Sequence, residues 1–205
     1  SSDLDVAGEA VDVDDIQPAP DRTAAQVVYT HRSHPLSEIS QAMLKDSIDM
    51  YAEGIFRLAS GAEGGRSNDD AIAAVRLRLL EWGLPADALQ PVDGSGLSRR
   101  DVIAADALMA LLVKRYDATL MSPWMAGLPI AGRDGTLDNR FKGTVAEGNV
   151  RAKTGTMTNI RSLAGYVTTR DGQPLAFTII VNNFEGTGAQ AQAAIDARSE
   201  EHTSE

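Results

Sequence analysis

Asn149–Thr154 (NVRAKT), Ser162–Thr169 (SLAGYVTT) and Pro174–Asn182 (PLAFTIIVN) are three β-type runs, the last two joined by Arg170-Asp171-Gly172-Gln173. Apolar and β-branched residues dominate them, and Asp-Gly between two such runs is a strong hairpin signal because it accepts the positive φ a tight turn needs. Gly188–Ala197 follows with helical composition and is expected to pack on the sheet these strands make. The end of the chain therefore reads as an antiparallel sheet covered by a helix, an α/β arrangement.

Upstream the period changes. From Pro35 to Leu58, apolar residues such as Leu36, Ile39, Met43, Ile48 and Ile55 recur at three- and four-residue steps, which predicts one helix. Gly61–Gly65 breaks it. A second helix is expected from a cap at Ser67–Asp70 to Trp82, stopped by Gly83. A third is expected after Ser98, through Val102 and Leu108 to about Tyr116, and Leu120–Leu128 adds a short helical turn. Gln26–Thr30 (QVVYT) reads as a short β run, and Arg133–Gly143 as a loop.

The 205 residues suit one globular domain or a piece of one, and 43% hydrophobic content excludes wholesale disorder. With no Cys there is no disulfide scaffold, thiol nucleophile or Cys-ligated zinc. The longest apolar run, Ala107–Val113, is far below the ~20 residues of a membrane span. Net charge is −10, but residues 1–22 alone hold seven acids and one base. Residues 23–197 carry 17 bases and 19 acids and are nearly neutral, without the basic face that nucleic acid or an anionic membrane would require.

Three clusters carry chemistry: Ser47-Ile48-Asp49 within the first expected helix, Asp93–Arg99 (DGSGLSR) in a loop, and Lys153-Thr154-Gly155-Thr156 at a strand end. A lone Lys-Thr-Gly is weak, and Lys153 by itself reads as a solvated strand-end lysine. Rival motifs fare worse. Gly186–Ala191 lacks the second parallel strand and downstream acid of a dinucleotide fingerprint. His31 and His34 have no third ligand clustered with them, and Asp93 replaces the first glycine of a nucleophile elbow at Gly94-Ser95-Gly96, which reads instead as a tight turn. No metal or organic cofactor is signalled.

Penicilloyl-serine enzymes use Ser-x-x-Lys, Ser-x-Asn and Lys-Thr-Gly in that order. Beyond these short motifs, Lys45–Glu53 (KDSIDMYAE), Asp93–Arg99, Leu128–Leu137 (LPIAGRDGTL) and Val150–Met157 (VRAKTGTM) closely resemble the D-alanyl-D-alanine carboxypeptidases of the DacB type, class C low-molecular-mass penicillin-binding proteins. The resemblance runs from about Tyr29 to Ala197. It implies a transpeptidase-like domain related to β-lactamases, a location in the periplasm or cell envelope, and peptidoglycan stem peptides and β-lactams as partners. It also implies roles: Ser47 as proton relay with Asp49 in the Asn position, Lys153 as the cation that orients Ser47 and draws in the substrate carboxylate, Thr154 and Thr156 as hydroxyls for that carboxylate, and Gly155 as the residue that keeps the strand edge open.

Two departures stand out. No serine here has a lysine three residues later, so the resemblance implies the C-terminal part of a larger enzyme, with the N-terminal strands and the nucleophile's helix elsewhere. Asp49 is an anion where the family has an amide; it keeps the acceptor and loses the donor. On this reading residues 1–25 are the tail of an inserted domain or a linker and residues 26–197 the transpeptidase part. Residues 198–205 (RSEEHTSE) match the in-frame translation of a common sequencing adapter and are expected to be an artefact. The alternative function is a non-catalytic peptidoglycan- or partner-binding module on the same fold.

Overall fold

The computed structural model describes residues 26–61, 67–85, 87–116 and 121–204, with 9, 11, 12, 15–18, 21 and 23. The chain divides into two units, Ser1–Ser33 and His34–Glu205. In the first, the Asp21 carboxylate accepts from the backbone N–H and the hydroxyl of Thr23. Gln26–Thr30 is not a strand, and Val27, Val28 and Tyr29 are exposed. Local β composition does not suffice without a neighbouring strand to take up the ladder hydrogen bonds.

In the second unit, β3 (Arg151–Met157), β4 (Ile160–Thr168) and β5 (Pro174–Asn182) form an antiparallel sheet in the order β3-β4-β5. Lys153 lies opposite Ala164, and Gly165 lies between Ala152 and Phe177. The expected hairpin is present: Gly172 has φ 87°, and the Thr169 N–H donates to Gln173 O at 2.8 Å. The alternation of β4 sorts its side chains onto two faces. Leu163 and Val167 join a cluster with Leu137, Phe141, Phe177 and Ile195, the last from α6 (Gly188–Ser204). Ala164 and Tyr166 join Leu112 and Leu128, with Leu108 from α4 (Ala105–Tyr116) and Trp124 from α5 (Met121–Gly127). The sheet is thus sandwiched between helices.

Several expected elements differ. The helix expected over Leu36–Leu58 is two, α1 (Leu36–Asp46) and α2 (Asp49–Leu58). The break falls at Ser47, which adopts left-handed φ 56° and ψ 53°, while the N–H groups of Ser47 and Ile48 both return to Met43 O. That is a helix-terminating pattern. Apolar spacing continues across it, so periodicity cannot register it. Ser47-Ile48-Asp49 consequently lies at a corner between helices, not inside one. The second expected helix is α3 (Asn68–Glu81), and a capping box between Ser67 and Asp70 starts it. Val102 belongs not to a helix but to β2 (Val102–Ile103), paired with β1 (Leu89–Gln90). The Arg133–Gly143 loop contains a 3₁₀ turn, Gly135–Leu137. The final helix passes its expected end at Ala197 and runs to Ser204, with Ser199 buried and its hydroxyl on Ile195 O. The Gly61–Gly65 break falls, beyond Gly61, outside the described residues.

Candidate active site

Helix α1 ends where β3 begins to matter. Lys153 projects from β3, and its Nζ donates to Ser47 Oγ at 2.8 Å and to Thr154 O at 3.0 Å. Burial pushes the Lys153 amine below its ordinary pKa, because a half-desolvated ammonium loses hydration. The charge of Asp49 opposes that shift. Asp49 opens α2, where the unpaired N–H groups of the first turn favour an anion. This gives a physical reason for a carboxylate to be tolerated there.

The other motif residues line the same strand. Thr154 Oγ1 donates to Thr136 Oγ1 at 2.9 Å. Gly155 lies opposite Ser162, and a Cβ at that position would run into the Ser162 hydroxyl. Thr156 is exposed. At its start the free edge of β3 is covered: Ala152 N–H donates to Pro129 O and Ala131 N–H to Val150 O. Since Ala152 N–H points away from β4, the two-residue period turns the N–H groups of Thr154 and Thr156 the same way. Ser47, Lys153 and the outward edge of β3 therefore come together.

Sequence reasoning missed the supports. Lys45, in the last turn of α1, donates to Leu128 O at 2.7 Å and to both Asp134 oxygens at 2.7 Å. Asp134 also accepts from Ile130 N–H at 2.8 Å. Glu53, one turn after Asp49 on α2, accepts from the N–H groups of Gly94 and Ser95 and from the Ser95 hydroxyl. Gly94 is needed there because a Cβ would meet Ala52 O at 2.7 Å and the Phe56 side chain. Asp93 closes the turn by accepting from Gly96 and Ser98 N–H. Burial would raise the Asp93 carboxyl, but these bonds and its contact with Asp101 outweigh burial and lower its pKa. Asp101 is raised, by burial first and by the neighbouring Asp93 charge. Apart from Phe56 and Asp101 these residues lie within the stretches that carry the resemblance, Lys45–Glu53, Asp93–Arg99 and Leu128–Leu137, but no short motif gives them a role there; three-dimensional proximity does.

A model of the D-Ala-D-Ala carboxypeptidase 3 (S13) family matches residues 2–202. The chain is 38% identical over 185 residues to a D-alanyl-D-alanine carboxypeptidase of Actinomadura sp. strain R39, covering 87% of this chain and 34% of that protein. It is 37% identical over 173 residues to carboxypeptidase DacB of Mycolicibacterium smegmatis, covering 81% and 37%. Among solved structures, penicillin-binding protein 4 (DacB) of Haemophilus influenzae, complexed with a β-lactam, superposes with TM-score 0.74 at 28% identity, over 85% of this chain and 42% of that one. The chain thus spans roughly a third of the curated relatives it matches. With helices on both faces of an antiparallel sheet, a Lys-Thr-Gly on its edge strand and a family match over nearly its whole length, the chain belongs to the D-Ala-D-Ala carboxypeptidase 3 (S13) family.

Proposed function

We propose that this chain forms one wall of the acyl-transfer cleft of a penicillin-binding, serine-type D-Ala-D-Ala carboxypeptidase or endopeptidase acting on peptidoglycan peptides in the cell envelope. The observation that carries the reading is the 2.8 Å bond from Lys153 Nζ to Ser47 Oγ, bridging 106 residues of sequence. Acyl transfer needs a nucleophile with a base, an oxyanion hole and a grip on the substrate carboxylate. The nucleophilic serine and its lysine would come from a Ser-x-x-Lys segment of the full-length protein.

The serine attacks the carbonyl of the penultimate D-Ala, and its proton reaches the leaving amine through Ser47 as the C–N bond breaks. Lys153 donates to Ser47 Oγ, leaving the Ser47 proton free to face that amine. Its charge attracts the terminal carboxylate, which Thr154 and Thr156 receive. The outward N–H of Thr156 serves the oxyanion hole, and substrate backbone adds along the open edge beside Gly155. Water then hydrolyses the acyl-serine. A β-lactam enters by the same attack on its ring carbonyl and stays bound as the acyl adduct.

The test is a labelled penicillin on the full-length protein carrying these residues. A stoichiometric, heat-stable adduct, formed far more slowly by Lys153→Ala, is the expected result. A folded protein that binds peptidoglycan fragments reversibly but forms no adduct overturns the enzymatic reading in favour of a binding module.

A further inference from the structure

The two halves of the candidate site come from segments 106 residues apart, and one three-residue segment touches both. Asp134 binds the Lys45 ammonium through both oxygens at 2.7 Å, two residues before Ser47. Thr136 Oγ1 meets Thr154 Oγ1 at 2.9 Å, next to Lys153. Between them Gly135, at φ 56°, lies so close to α1 that a Cβ would meet Lys45 O at 2.5 Å. We infer that Asp134-Gly135-Thr136 is a strut that sets the distance between Ser47 and Lys153, with Asp134 and Thr136 as positioning residues for acyl transfer. The inference rests on the function proposed above.

The strut is rigid for reasons visible in its bonds. Lys45 is only 20% exposed, and its ammonium is satisfied by Leu128 O and the Asp134 carboxylate, so the last turn of α1 cannot slide along the segment. Asp134 is itself held by Ile130 N–H, and Ile130 bridges Arg151 at the start of β3. The segment is therefore anchored to the strand at Arg151 and again at Thr154. The Thr136–Thr154 pair adds a directional effect. Two hydroxyls sharing one hydrogen bond leave one proton free. Thr154 donates to Thr136, so the free proton is that of Thr136 and is available to a substrate carboxylate; a valine at 136 removes it while keeping the volume.

Misplacement by about 1 Å at a reacting centre costs on the order of 10²-fold in rate. In the full-length protein, Asp134→Asn and Thr136→Val are expected to slow acylation by a labelled penicillin at least about tenfold, with Thr136→Ser restoring most of the rate. For a peptide substrate Thr136→Val is also expected to raise KM, because carboxylate binding weakens. A lower melting temperature with unchanged acylation rate and KM in both variants overturns the strut, as does equal behaviour of Thr136→Val and Thr136→Ser. Should Asp134→Asn not fold, the Thr136 pair decides. Lys153→Ala separates the two readings: if it acylates normally, the proposed function fails; if it is slow while the strut variants are normal, only the strut fails.

Discussion

Lys153 Nζ bonds Ser47 Oγ although the lysine is on an edge strand and the serine at the corner of two helices. The bond fixes which way each group can act. An ammonium has donors only, so Ser47 accepts from it and keeps its own proton to give. Burial lowers the lysine's pKa and the Asp49 charge restores part of the loss, so the pair is tuned by a third residue.

Replacing Lys153 by Ala in the full-length protein is expected to reduce acylation by 10²–10³, about 3–4 kcal/mol, as for loss of a positioned donor at a developing charge. Lys153→Arg is expected to recover little, because a planar guanidinium cannot stand in for a point donor aimed at one hydroxyl. Stopped-flow rates with a fluorescent penicillin measure both. Normal rates in Lys153→Ala would remove this lysine from the mechanism.

Asp49→Asn restores the residue usual in the family and is expected to leave acylation unchanged or faster. It also removes the charge that raises the Lys153 pKa. The amine then deprotonates at lower pH, so the basic limb of the pH–rate profile is expected to move downward. A profile that does not move, or a variant without activity, would show that the carboxylate acts otherwise than through Lys153.

The Asp93–Asp101 pair predicts a stability effect. The folded-state pKa of Asp101 is raised, so the native chain binds more protons than the unfolded chain from the ordinary carboxyl pKa up to the raised one. The contribution of this group to stability therefore falls as pH rises through that window, while the lowered pKa of Asp93 acts in the opposite sense. Asp101→Asn keeps an oxygen for Val92 N–H and can donate to Asp93. Its melting temperature is expected to match or exceed the parent's at pH 7 and to vary less between pH 3 and 7. A marked loss at pH 7 would contradict this.

Gly165→Ala is expected to be more harmful than Gly155→Ala. A Cβ at Gly165 meets backbone, Arg151 O and Ala152 Cα, whereas at Gly155 it meets only a hydroxyl that can rotate away. Forcing β3 from β4 is expected to cost about 2–3 kcal/mol, against under about 1 kcal/mol for Gly155→Ala. Urea midpoints distinguish the two, and equal midpoints would refute the packing argument.

These outcomes bear on what the sequence could disclose. The sheet was legible because apolar and β-branched residues run through β4 and β5 and Asp171-Gly172 marks the turn between them. The motif residues were legible through their family resemblance, which locates Lys153 and Ser47 without giving their distance. The break at Ser47 was not legible, since apolar residues on both sides keep a single helical period. Nor were the two-residue strands β1 and β2, too short to show any period. Asp134 and Thr136 act through contacts spanning 89 and 18 residues, and no local pattern records such a pairing.

The left-handed backbone at Ser47 sets stability against chemistry. That conformation costs an ordinary L-residue about 1 kcal/mol or more, and glycine would adopt it without penalty. Glycine carries no hydroxyl. Selection for a sturdier fold would drift this position toward glycine, and selection for proton transfer would hold it at serine. On the proposed function, position 47 is thus a small gauge of which pressure acts on the protein: a serine there carries the conformational burden for the sake of its hydroxyl, and a glycine would relieve the burden and end the proton relay.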